Sequence, residues 1–384
     1  MKILLISFFR SNNIGDKLIG KQLLNLFNEN NEVICVDFSN AQKYTFEEDQ
    51  EHSKALKDSK INIKRTFWKL MPRIADLLAH LYLRYKCKYK NLSLVENIKS
   101  ADAVILAGGN MVMDLGLYPT YTYKVYNILK IAKQYSKKTA LLFTGAGPVQ
   151  NKWQKDYVKK SVRLCDFVSV RDDLSKKFIE EIVPDSNIKR WNDPVFTLEC
   201  ESGIPSGTIG INVFFGMDTK IFESVKRAYV DIINKLRRLY PQYSIKLYSS
   251  EKNDYGYVEA VYNCINDDKV SVEYISSEEE LIELYSKTDV VLAARMHSMI
   301  VSLVMRIPVV GLSWQAKVDG LAKIMDMQDR VFKINEAENK ADNIVKIIGE
   351  IIENIDEEKA EIDKKVSNIK CDISMQVNKF EERF

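Results

Sequence analysis

Histidine is scarce and paired cysteines are missing. The chain of 384 residues holds three histidines and six cysteines, and Cys35, Cys87, Cys165, Cys200, Cys264 and Cys371 are scattered with no CxxC pair. A zinc site of ordinary ligand spacing cannot be assembled from these, so no metal is expected. Cys35 and Cys165 stand in or beside apolar runs and read as packed thiols of a reducing cytosol. Charge of one sign is lacking too. The net charge is only +3, whereas a nucleic-acid binder tends to carry a strongly basic domain, so nucleic acid is not an expected partner. No run of about 20 apolar residues is present to cross a bilayer. The opening MKILLISFFRSNNIGD has a short apolar run, no small-residue cleavage site and an immediate turn-and-helix pattern. It reads as a first buried strand rather than a signal peptide. No repeat of solenoid period is visible.

What is there is the ordinary mixture of a soluble globular chain, 46% hydrophobic and 28% charged, long enough for two domains. Short, nearly continuous apolar runs alternate with helical patterns. The runs are Lys2–Ser7, Val33–Phe38, Ala103–Ala107, Thr139–Thr144 and Phe167–Val170, then Thr208–Phe214, Ser244–Ser249, Val270–Tyr274, Val290–Ala294, Val309–Leu312 and Val331–Ile334. Helical stretches such as Phe222–Leu239, Glu278–Ser286 and His297–Met305 fall between them. The pattern predicts an α/β fold of two Rossmann-like, doubly wound domains facing a cleft, with ligands at the carboxyl ends of the strands. Glu199–Gly207 (ECESGIPSG) interrupts the pattern, which places a first domain at 1–200, a second at 205–340 and a charged helical tail at 341–384.

The stretch 41–99 departs from the alternation. Between Lys60 and Lys90 nine Lys and Arg residues face one acid, Asp76, with Phe67, Trp68, Tyr82, Tyr85 and Tyr89 interleaved. Basic and aromatic residues at helical spacing suit an anionic membrane surface. The alternative is a packed helix pair, kinked at Pro72, with a solvated basic face.

Polar and glycine-rich turns close successive strands. Asn13-Ile14-Gly15-Asp16 follows the first strand and opens a helix, where Asn13 or Asp16 can simply cap it or the helix N-terminus can face a ligand. It lacks the third glycine of a GxGxxG fingerprint. Gly108-Gly109-Asn110, with Asp114 just beyond, and Gly145-Ala146-Gly147-Pro148 close two more strands; tight turns of an α/β fold are the alternative reading. Arg171 ends a strand and forks onto carboxylate or phosphate, unless Asp172 or Asp193 claims it as a structural pair. Arg295-Met296-His297 follows a buried strand, and Ser313-Trp314-Gln315-Ala316-Lys317 follows another. His52 sits in a polar loop and His80 in the basic stretch, which leaves His297 as the constrained histidine. Arg295, His297 and Lys317 are expected to converge with no paired carboxylate beside them, which suits a small anion carrying carboxylate and phosphate groups.

In that order these elements resemble the polysaccharide pyruvyl transferase family: Asn13-Ile14-Gly15-Asp16, Gly108-Gly109 with Asp114, Gly145-Ala146-Gly147-Pro148, Ser169-Val170-Arg171-Asp172, Asp193-Pro194, Arg295-Met296-His297 and Lys317. The likeness runs from about residue 3 to 325. Its departures are Asn110 where a further glycine is usual and the long basic insertion, and both bear on the acceptor rather than the donor. The resemblance implies a GT-B-like fold and a cytoplasmic enzyme, at the inner face of the membrane if the basic stretch meets lipid. It implies transfer of the enolpyruvyl unit of phosphoenolpyruvate to a hydroxyl pair of a glycan or lipid-linked sugar, forming a pyruvate ketal without an organic cofactor. On this reading His297 and Asp16 are catalytic, and Arg171, Arg295, Met296 and Lys317 bind the donor. Asn13, Gly108, Gly109, Asn110, Asp114, Gly145, Gly147 and Asp193 line the acceptor side. The rival readings are a nucleotide-sugar-dependent GT-B glycosyltransferase and a non-catalytic sugar- or membrane-binding assembly protein.

Overall fold

The computed structural model describes residues 1–39, 92–113, 121–149, 152–201, 203, 206–216 and 218–384. Asp114, His52, His80, Cys87 and the basic stretch at 60–90 lie outside the described residues. The chain forms two compact units. The first comprises Met1–Ser11, Ile19–Pro194 and Gln376–Phe384; the second comprises Asn12–Leu18 and Val195–Met375.

The first unit is built on six parallel strands: β1 (Lys2–Ser7), β2 (Glu32–Asp37), β3 (Ala103–Ala107), β4 (Lys138–Thr144), β5 (Phe167–Val170) and β6 (Lys189–Arg190). Their order across the sheet is β2-β1-β3-β4-β5-β6. All five residues of β3 are buried, as a central strand covered by helices on both faces requires. Leu4, Ile6, Val104, Leu106, Leu141 and Val168 belong to one core with Val125, Ile128 and Leu129 of the helix Tyr121–Gln134. β6 has only two residues, too short for any periodicity to reveal.

The second unit repeats the construction with β7 (Thr208–Asn212), β8 (Ser244–Tyr248), β9 (Val270–Glu273), β10 (Val290–Ala293), β11 (Val309–Ser313) and β12 (Val331–Lys333). The order is β12-β11-β10-β7-β8-β9, again all parallel. From β7 the chain winds outward through β8 and β9, then returns to pair β10 against β7 and winds the other way. The strand order therefore reverses between β7 and β10, and in the first unit between β1 and β3. Loops leaving two strands in opposite directions open a crevice at such a switch point, where ligands of open α/β sheets bind.

The predicted strands agree with the observed ones to within two residues at their ends, and two parallel α/β units are the observed fold. The division between units falls after Pro194 rather than within Glu199–Gly207. The tail is also built differently from one charged helical stretch. Helix Ala341–Glu353 buries Ile344, Ile348 and Ile351 in the second core. A second helix, Ile355–Arg383, follows. Its last residues belong to the first unit, where the Phe380 ring lies 5.0 Å from Phe167 and 6.2 Å from Phe27. Among the described residues no helix is long and apolar enough to cross a membrane.

Candidate functional site

The switch point of the second sheet carries the Arg-x-His element. β10 ends at Ala293, and the backbone N–H of Arg295 donates to Oδ1 of Asn212, the last residue of β7, at 3.0 Å. Asn212 is fully buried, and among the described residues its Nδ2 is a buried donor with no hydrogen-bond partner, a cost of about 1–3 kcal/mol. Arg295 stays extended (φ −96, ψ 127), and helix Met296–Val304 starts immediately after it. Met296 and His297 are half-buried in its first turn.

His297 lies against the segment Asn12–Leu18. A Cβ added to Gly15 would fall 2.1 Å from Nδ1 of His297, so glycine is needed there for close approach. Asn13 shapes the turn: the N–H of Gly15 donates to its Oδ1 at 2.9 Å. The N–H of Ile14 donates to the carbonyl of Ser250 at 3.1 Å, and Asn13 Nδ2 reaches Glu251 Oε2 at 3.4 Å. Asn13 is thus both the cap weighed from sequence and a contact to the loop after β8. Asp16 is half-buried in the first turn of helix Ile14–Asn28.

Arg295 is not the carboxylate-free cation expected from sequence. Its Nε donates to Oδ2 of Asp254 at 3.0 Å and its Nη2 to the same oxygen at 2.5 Å. Its Nη1 pairs with Glu251 Oε2 at 2.7 Å. The guanidinium carbon sits 4.1 Å over the Phe214 ring. Burial pushes the Asp254 carboxyl above its usual range, with Arg295 pulling the other way. The loop Ser249–Asp254 follows β8, next to β7. Its density of Ser, Glu, Asn and Asp at a strand end was a legible signal, but only the sheet order sets it beside Arg295. Lys317 is half-buried in the first turn of helix Ala316–Ile324, after β11.

In the first unit the glycine turns are joined. The N–H of Gly145 donates to Gly109 O at 2.8 Å and that of Gly147 to Val112 O at 2.7 Å. Gly108 and Gly109 adopt φ +71 and +56, and a Cβ on Gly109 would meet Phe8 at 2.3 Å, so no other residue fits this turn. Arg171 is buried, and its Nη1 donates to Asp193 Oδ2 at 2.9 Å while its Nη2 donates to Asn110 Oδ1 at 3.2 Å. Of the two readings of Arg171, the Asp193 pair is therefore present. Asn110, Arg171 and Asp193 come together at the carboxyl edge of β3, β5 and β6. Burial raises the thiol of Cys35 to about 12 and lifts Cys165 as well, which keeps both protonated and unreactive.

The family model described as polysaccharide pyruvyl transferase matches residues 13–316. No curated protein matches the chain. Among solved structures, UDP-GlcNAc 2-epimerase from Neisseria meningitidis, bound to UDP-GlcNAc, is similar at 12% identity and a TM-score of 0.55, covering 100% of both chains. A glycosyltransferase from Rickettsia africae reaches 15% identity and 0.55 over 99% of this chain and 97% of that one. A Thermobaculum terrenum O-GlcNAc transferase mutant gives 12% and 0.52, with all of this chain covering 66% of the other. At these identities the likeness is one of fold.

Proposed function

We propose that this chain, which belongs to the polysaccharide pyruvyl transferase family, moves the enolpyruvyl unit of phosphoenolpyruvate onto a hydroxyl pair of a glycan or lipid-linked sugar. The observation that carries the reading is the position of Arg295 and His297. They flank the first residue of a helix at the switch point of the second sheet, beside the buried Nδ2 of Asn212, which has no hydrogen-bond partner among the described residues.

Phosphoenolpyruvate brings about three negative charges near neutral pH. Arg295 with ionised Glu251 and Asp254 would sum to one negative charge and repel it. Burial of the Asp254 carboxyl works against that charge, while Arg295 favours it. Arg295 then orients the donor rather than supplying net attraction. Lys317 and the N-terminal N–H groups of the helix starting at Met296 supply the favourable field. Arg171 serves the donor in the same tempered way, since Asp193 shares its charge.

His297 gives a proton to the methylene carbon, so the central carbon becomes an oxocarbenium-like electrophile. One sugar hydroxyl adds there, the carbon–oxygen bond to phosphate breaks, and the second hydroxyl closes the ketal. Of the two hydroxyl protons, one replaces that lost by His297 and the other departs with phosphate. Asp16 is the acceptor of the first hydroxyl proton. Asn13, Gly108, Gly109, Asn110, Gly145, Gly147 and Asp193 serve the acceptor side, and Asp114 keeps the same proposed role. No organic cofactor is needed. The basic stretch at 60–90 is suited to an anionic bilayer, so a lipid-linked acceptor and a place at the inner membrane face are part of this reading.

The test is incubation of aryl and lipid-linked pyranosides with phosphoenolpyruvate. Mass spectrometry should show a product heavier by pyruvate less one water, with stoichiometric phosphate release. No product and no phosphate across the panel overturns the reading. A thermal shift with UDP but none with phosphoenolpyruvate would favour a nucleotide-sugar transferase instead.

A further inference from the structure

A pocket of about 530 Å³ opens in the second unit beyond the carboxyl ends of β7, β11 and β12. That volume lies within the roughly 300–1,000 Å³ of small-molecule sites. Its walls include Trp314, Gln315, Asp218, Asp319, Lys333 and Asn335, and Lys317 is not among its lining residues. We propose that this pocket binds one uncharged pyranose ring; as a subsite for the acceptor it rests on the pyruvyl-transfer reading.

Three observations carry this. First, the half-buried Trp314 already spends its one donor: Nε1–H donates to the carbonyl of Ala294 at 3.0 Å. The indole is thereby fixed, and what it offers the pocket is apolar surface, which suits the C–H face of a sugar. Second, the polar groups are those that grip hydroxyls. Two carboxylates and two amides line the wall, and the single lining cation among the described residues, Lys333, is held by Asp319 at 2.6 Å. Two carboxylates against one ammonium leave the lining negative, which disfavours a nucleoside diphosphate or phosphoenolpyruvate and admits a neutral polyol. Third, the pocket is joined to the Arg-x-His element by packed rings. Trp314 meets Phe214 edge-on at 4.9 Å between ring centroids, and Phe214 carries the guanidinium of Arg295 on its face. A ring held against Trp314 therefore lies beside, and not upon, the group that would meet the donor. It is placed for a sugar next to the one that reacts.

Saturation-transfer NMR on the full chain with methyl β-D-glucopyranoside, methyl β-D-galactopyranoside, methyl α-D-mannopyranoside, lactose and UDP tests this. At least one sugar should give ring-proton signals that UDP does not displace. Trp314→Ala should weaken that binding by about tenfold and Asp319→Asn by roughly threefold or more, the loss expected for one hydrogen bond. Asp319→Asn removes only an exposed ion pair, so it reports on binding even if Trp314→Ala misfolds. Preferential binding of glycosides over disaccharide marks a site for a single sugar, and tighter lactose binding marks a glycan subsite; both support the pocket. UDP binding that competes with the sugars, no sugar binding, or binding untouched by Asp319→Asn overturns it. Phosphate release from phosphoenolpyruvate is scored separately. Sugar binding without release leaves the pocket standing and sinks the transfer reading. Release with an acceptor KM unchanged in Asp319→Asn does the reverse.

Discussion

The imidazole of His297 is packed onto the backbone of Gly15, so that a β-carbon at Gly15 would lie 2.1 Å from Nδ1. Residues nearly three hundred positions apart thus share one small volume, and the only proposed proton donor of the site has its position set by a residue without a side chain.

Gly15→Ala should therefore act as a displacement of His297. Overpacking of this kind costs about 1–3 kcal/mol. If His297 is the proton donor, turnover should fall by about 10²–10⁴-fold, far more than the loss of stability explains. Thermal melting and phosphate release measured on the same protein separate the two effects. Full turnover in this variant would show that the position of His297 is irrelevant to the reaction.

His297→Ala should abolish turnover and leave the affinity for phosphoenolpyruvate within a few-fold of wild type, as read by calorimetry. It should also rescue the packing. In a double-mutant cycle, Gly15→Ala should cost at least about 0.5 kcal/mol less in the His297→Ala background than in wild type, since groups in contact couple by about 0.5–3 kcal/mol. Additive effects would mean that the added methyl group meets something other than the imidazole.

Removing Arg295 leaves Asp254 and Glu251 without their cation. Asp254 has only 6% of its side chain exposed, and breaking a buried pair from one side costs about 3–5 kcal/mol. Arg295→Ala should thus lower the denaturation midpoint strongly, and Arg295→Ala with Asp254→Asn should recover part of the loss. An Arg295→Ala protein as stable as wild type would show that the ion pairs contribute nothing.

Stability should also titrate at Asp254. Its carboxyl is raised above the usual 3.8 by burial, so above 3.8 the folded chain holds a proton that the unfolded chain has released. Folding is then favoured by this group at low pH, and its contribution is lost as pH climbs from 3.8 through the folded value. The wild-type stability, minus that of Asp254→Asn, should fall with pH over that window and be flat above it. A difference that rises with pH would contradict the direction of the shift.

Arg171 and Asp193 form the corresponding pair in the first unit, with side chains only 2% and 6% exposed. Asp193→Ala should destabilise by about 3–5 kcal/mol, more than Asp193→Asn, which keeps a hydrogen-bond acceptor for Nη1. Chemical denaturation of the two variants checks the order.

Much of this molecule could be read from the chain alone. Central strands such as Ala103–Ala107 and Val290–Ala293 are apolar along their whole length because both faces of a parallel sheet are covered, and helices such as Phe222–Leu239 and Glu278–Ser286 announce themselves by period. The turns that close those strands were visible through Asn, Gly and Arg, since a chain leaving a strand edge needs special conformations or caps. Partners were less visible. The Asp193 pair was one of two readings of Arg171, because an arginine at a strand end looks the same whether its fork meets ligand or protein.

Local chemistry, then, determined the elements, their parallel arrangement and which turns carry reactive side chains, because burial and periodicity act over a few residues at a time. The order of strands across each sheet belongs to the tertiary structure. That order sets β8 next to β7, and so brings Glu251 and Asp254 onto Arg295. It also sets Phe214 between Arg295 and Trp314, while the packing of segment Asn12–Leu18 with the second unit puts Gly15 against His297. These are contacts between segments far apart in the chain, chosen by how whole layers pack, and no window of sequence contains both partners.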